Sequence, residues 1–176
     1  MACKQGIREN IERSKAFHKK QKEYNPVREL WQSLVHRVHK TEAGFEGLTE
    51  PERLYYTVRL LDGEVYNGGM HQFFSNSSGK FYPHVIDGLL ELRAFESLKL
   101  LREAKQILFG DADVQSDKGE RNLAMKVFPE TGAQHTEWCI RLALIDKEYW
   151  RDPDGLDGKL NAFADKNGLI EPFKKG

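Results

Sequence analysis

The chain has 176 residues, 39% of them hydrophobic, which suits one domain with a single sizeable core and is too short for two. The opening MACKQGIREN has no apolar leader and the longest aliphatic run is the four residues 142–145 (LALI). Secretion and membrane spanning are therefore not expected, and a cytoplasmic protein is. Basic and acidic side chains balance at 27 each, yet residues 1–40 hold ten Lys or Arg against four Glu. The remainder holds 17 against 23, so a basic leading segment precedes an acidic body.

Residues 1–24 read as a basic N-terminal extension and 25–176 as the folded domain. The run SKAFHKKQK (14–22) is a solvated face or frayed arm on one reading and a nucleic-acid-binding arm, through Lys15 to Lys22, on the other. In NPVRELWQSLVHRVHK, the residues Val27, Leu30, Trp31, Leu34, Val35 and Val38 recur at the spacing of one helix face, with Asn25 placed to cap and Pro26 in the first turn. The next helix opens at Thr49 with Glu52 three residues on, a capping-box arrangement. It carries Leu54, Val58, Leu61 and Val65 on one face and is expected to end at Asn67-Gly68. Gly63, inside that helix, predicts close packing or a bend.

Beyond a glycine corner, YPHVIDGLLELR and FESLKLLREAKQILFG have leucines at helical spacing, the second stopped at Gly110. DADVQSDKGE reads as a loop, RNLAMKVF as a short helix and HTEWCIRLALIDKEYW as a long one with Trp138, Leu142, Ile145 and Tyr149 on one stripe. RDPDGLDGKLNAFADKNG gives a turn and a last helix. Only twenty residues are Val, Ile or Thr and no stretch alternates strictly, which leaves no material for a sheet. The expected fold is all-α, a single compact domain of seven or eight helices. Its core should contain Trp31, Leu34, Leu54, Val58, Phe73, Phe74, Leu101, Leu108, Trp138, Leu142 and Ile145.

No metal or cofactor is expected. His36 and His39 lie on the side of their helix away from the apolar stripe, and Cys3 and Cys139 are too few and too distant for a zinc site or a disulfide framework. The loops starting at Asp152 and Asp111 would need a bidentate Glu at the twelfth position for calcium, where Phe163 and Asn122 stand.

The stretch VYNGGMHQFFSNSSG (65–79) supports two readings. His71 and Ser75, or Ser77, could be a base and a nucleophile in a small-ligand or hydrolase-like site at residues 68–78, with Asp62 or Glu64 orienting the imidazole. No nucleophile elbow and no phosphate-binding glycine pattern is present, however. The structural reading has Asn67 and Gly68 ending one helix, Gly69 turning the chain and Phe73 and Phe74 filling the core. Gln72 and Asn76 would tie down main-chain groups left unpaired.

GEVYNGGMHQFFSNSSG also resembles the signature of a bacterial family of small helical proteins, the DNA-mimic-protein-like family. Its pattern reads approximately E-V-x-N-G-G-F-x-Q-F-F-x-N. Glu64, Val65, Asn67, Gly68, Gly69, Gln72, Phe73, Phe74 and Asn76 match it, while Met70 replaces the usual aromatic. The helix entry at Thr49 to Arg53 and LALIDKEYW (142–150) extend the resemblance, which runs from about Pro26 to Phe173. It implies an all-helical domain that binds another protein, a DNA-binding one, by presenting carboxylates where DNA presents phosphates. Duplex DNA carries a charge about every 1.7 Å of axis, so a chain with pI near 7.0 would do this only locally. The candidate partner-binding residues are Asp146, Glu148, Asp152, Asp154 and Asp157. A non-enzymatic, cofactor-free regulator or inhibitor is the leading expectation, and the ligand site at residues 68–78 is the alternative.

Overall fold

The computed structural model describes residues 24–125 and 133–170. The basic extension and the end of the expected helix at 121–128 lie outside the described residues. Among the described residues there are seven α-helices and no strand, packed as one domain. They are α1 (Pro26–Lys40), α2 (Glu50–Ser75), α3 (Tyr82–Glu91), α4 (Phe95–Phe109), α5 (Lys118–Met125), α6 (Ala133–Tyr149) and α7 (Leu156–Lys166). Two short 3-10 turns, Gly44–Gly47 and Ser77–Phe81, flank α2. Among the described residues no helix is long and apolar enough to cross a membrane.

The start signals act as their chemistry dictates. Asn25 accepts the Arg28 N–H at 3.1 Å at the head of α1, and Glu52 accepts both the Thr49 N–H at 2.8 Å and the Thr49 hydroxyl at 3.1 Å at the head of α2. Arg37 of α1 grips the same Glu52 carboxylate at 2.5 and 3.1 Å, so the cap also fastens α1 to α2. Burial would raise the Glu52 carboxyl, but Arg37 and Thr49 hold it below its ordinary value.

The domain is organised around α2, which touches each of the other described helices. Tyr55, Tyr56, Thr57 and Val58, four consecutive residues, are all buried, as a helix surrounded on all sides requires. Leu34, Val58, Phe73, Phe74, Leu101, Leu108 and Ile145 are buried as expected. Trp31, Leu54, Trp138 and Leu142 are only half-buried and pack against the core from its margin, with Trp31 stacked on Tyr56 at 5.5 Å. Periodicity identifies the inward face of a helix but not how deep each side chain sits. Gly63 corrects another expectation: it is exposed, with nothing near the position of an added Cβ, and the helix is regular there. The bend in α2 comes five residues later.

Candidate functional site

At Gly68 (φ −159°, ψ 23°) and Gly69 (φ 77°, ψ −179°) the backbone of α2 leaves helical geometry, so a long arm ends at Asn67 and a short one restarts at Met70. The Gly69 conformation is essentially open to glycine alone. A Cβ there would also collide with the Asp146 carboxylate of α6. That carboxylate accepts the Met70 N–H at 2.8 Å, capping the restarted arm across 76 residues of sequence. Burial pushes the Asp146 carboxyl above its ordinary value, opposed by the Met70 N–H and by nearby His71. On the other side of the break, the Val65 carbonyl accepts the Trp150 indole N–H at 3.0 Å.

The polar groups of the corner converge on one anion. Glu64 accepts the side-chain amides of Gln72 at 2.7 Å and Asn76 at 2.9 Å, together with the Ser78 hydroxyl at 2.8 Å. Gln72 and Asn76 thus serve a side chain, where main-chain partners were expected. The main-chain role belongs to Arg121 of α5, which is 0% exposed. Its guanidinium donates to the carbonyls of Phe74 at 2.7 Å, Asn76 at 2.5 Å, Gln115 at 2.7 Å and Ser116 at 3.0 Å. Gly79 leaves room for it, since a Cβ there would lie 2.5 Å from Arg121 Nε. Phe73 and Phe74 are buried edge to face, 5.1 Å apart. Asn67 is exposed.

His71 is exposed and shares no hydrogen bond with Ser75, whose hydroxyl donates to the Gln72 carbonyl at 3.3 Å. Neither Asp62 nor Glu64 is bonded to the imidazole: Glu64 is taken by the corner, and Asp62 lies 3.4 Å from the Tyr149 hydroxyl that donates to it. The base, its orienting carboxylate and a nucleophile are therefore not assembled here.

The carboxylates of the second half are bound into the fold to different degrees. Asp146 is the cap just described. Asp154, with its side chain 10% exposed, accepts the Ser97 N–H at 2.7 Å in the first turn of α4, and Lys159 lies 3.8 Å away. Asp152 accepts the Leu156 N–H at 2.7 Å at the start of α7 and is itself exposed. Asp157, 60% exposed, pairs with Arg59 at 2.6 Å, and Glu148 pairs with Arg151 at 2.5 Å. Behind them, Asp62 is pushed above its ordinary value by burial, with Asp152 and Asp157 adding to the rise and Arg59 opposing it. The other acidic stretch, 111–117, follows the far end of α4. A 15-residue helix, about 22 Å long at 1.5 Å per residue, thus separates it from Asp154.

Among the described residues no group of His, Cys, Asp and Glu could hold a metal ion. Fold and corner together define a small helical protein whose central helix is broken at a glycine pair and locked by a half-buried carboxylate hub and a buried arginine. The chain belongs to the DMP19-like protein family, whose model matches residues 46–167, from the 3-10 turn before α2 to the end of α7. No curated protein and no solved structure matches it.

Proposed function

We propose that the protein acts without catalysis, by binding a DNA-binding protein as a local mimic of the DNA backbone. The observation that carries this reading is membership of the DMP19-like family over a span that includes both the corner and the acidic turn. In this reading, Glu148, Asp152 and Asp157, the more exposed members of the candidate set, face the partner. Asp146 and Asp154 contribute indirectly, since their carboxylates hold the α6–α2 and α7–α4 junctions from which the others project. Arg59 and Arg151 neutralise part of this surface, so attraction would be short-ranged and sensitive to salt.

Capture of partners from source-cell lysate at low salt, with duplex DNA as competitor, tests the idea. The expected result is a basic DNA-binding protein that duplex DNA displaces and that the triple variant E148Q/D152N/D157N captures at least tenfold less well. A captured partner indifferent to duplex DNA would sink the mimic reading. Asp154 is left out of the variant because, as a largely buried cap, its loss would lower stability and confuse the result.

A further inference from the structure

A cavity of about 360 Å³ opens beside the corner, between the end of α1, the Gly44–Gly47 turn, α2 and the Ser77–Phe81 turn. Its volume lies at the low end of the roughly 300–1,000 Å³ of small-molecule sites. That suits a small ligand better than a peptide. One wall is aromatic: Phe45 stands 6.1 Å from Tyr56 and 4.5 Å from Phe81, and Tyr56 meets Phe81 edge to face at 5.9 Å. Tyr56, Leu60 and Glu64 follow one another at four-residue intervals along α2, so the aromatic wall leads directly to the carboxylate hub.

Glu64 is the unusual member of this lining. Its three partners, Gln72, Asn76 and Ser78, are all neutral donors, and it forms no ion pair with any Lys, Arg or His among the described residues. Other half-buried carboxylates nearby have a cation beside them, as Glu52 has Arg37, Asp62 has Arg59 and Asp154 has Lys159. Lys80 lines the same cavity, but its ammonium lies over the Phe81 ring at 4.8 Å. Arg53 lies over the Phe45 ring at 5.4 Å, so resident cations already sit on two of the three rings. An incoming cation would be drawn by the dipole-satisfied carboxylate through charge-assisted hydrogen bonding, with the rings supplying an apolar wall.

We propose that this cavity is a binding site for a small organic cation, an ammonium group on an aromatic or branched apolar body, with Glu64 as counter-ion and Phe45, Tyr56 and Phe81 as the apolar wall. The His39 ring nitrogen, 3.4 Å from the Tyr56 hydroxyl, and Ser77 stand at the polar side of the site. This site uses different residues from the acidic turn, so it stands or falls independently of the mimic reading.

The test titrates the full chain at low salt with phenethylammonium, 2-phenylethanol and phenylacetate, followed by amide chemical shifts. Saturable shifts at His39, Ser77 and Ser78 are expected for the ammonium, which should bind at least tenfold more tightly than the neutral isostere. Glu64→Gln should abolish that preference. Because Glu64 also holds the corner, Lys80→Met provides a second variant that leaves its hydrogen bonds in place. Removing the rim cation should tighten ammonium binding severalfold. The proposal is overturned if the ammonium and the alcohol bind alike, if phenylacetate is preferred, if Lys80→Met weakens ammonium binding, or if no saturation occurs below about 10 mM.

Discussion

The glycine corner and the acidic turn are both rich in polar side chains, yet they use them in opposite ways. In the corner, a glutamate is surrounded by neutral amides and a hydroxyl, and an arginine donates only to main-chain carbonyls. In the turn, Glu148 and Asp157 pair with arginines at the surface. Ion pairs exposed to water contribute little, because solvent screens them and ordering two long side chains has an entropic cost. Buried groups that satisfy several partners are expensive to disturb, because whatever is removed leaves the others desolvated and unpaired. The corner therefore reads as the part that fixes the fold, and the turn as the part that can change or be covered by a partner at small cost to the fold.

Substitutions should separate the two regions by size. Arg121→Met keeps most of the side-chain volume but removes the donor to the Phe74, Gln115 and Ser116 carbonyls and leaves the Asn76 carbonyl only the Gly79 N–H, and should cost about 3–5 kcal/mol in urea unfolding. A loss below 1 kcal/mol would erase the distinction drawn above. Gly69→Ala should cost about 2–3 kcal/mol through its positive φ and its collision with Asp146. Gly63→Ala, in the same helix but in open space, should instead stabilise by about 1 kcal/mol.

Asp154→Ala, which removes the α4 cap from within the turn, should cost about 1 kcal/mol, an intermediate value that marks where the turn joins the core. Asp62 adds a pH signature. Its carboxyl is raised in the folded protein, so the native state holds that proton more tightly than the unfolded chain. Its contribution to stability is full below the unfolded value of about 4 and is lost as the pH rises through the higher folded value. Asp62→Asn should flatten the fall in melting temperature over that window, and an unchanged slope would assign the fall to other groups. Asp157→Asn, at the exposed end of the scale, should change the unfolding free energy from urea titration by less than about 0.5 kcal/mol.

All seven described helices were legible in the spacing of apolar residues, although the polar first turn of α5 (Lys118–Glu120) reads as loop, and Asn25, Thr49 and Gly68–Gly69 marked starts and a stop because those residue types act locally. The corner's polar wiring was not legible. Arg121 lies 47 residues from the Phe74 carbonyl it satisfies and sits in a short polar helix where an arginine reads as solvated. Asp146 looked like one more member of an acidic run, yet it caps a helix 76 residues earlier. Long-range polar contacts of this kind have no period and no fixed spacing, so composition grouped Asp146 with residues whose roles differ from its own. The one available signal was steric: a pair of adjacent glycines implies something close by, without naming it.

The contact between Gly69 and Asp146 carries a consequence for how such chains can diverge. The space a side chain at 69 would need is filled by Asp146, and the backbone at 69 is itself confined to glycine, so the two constraints act in one direction. Shortening the residue at 146 would not free position 69, but it would leave the amide at 70 in need of another acceptor. Position 69 should accordingly stay glycine in relatives that keep the break, while 146 varies only among residues that can still accept that N–H.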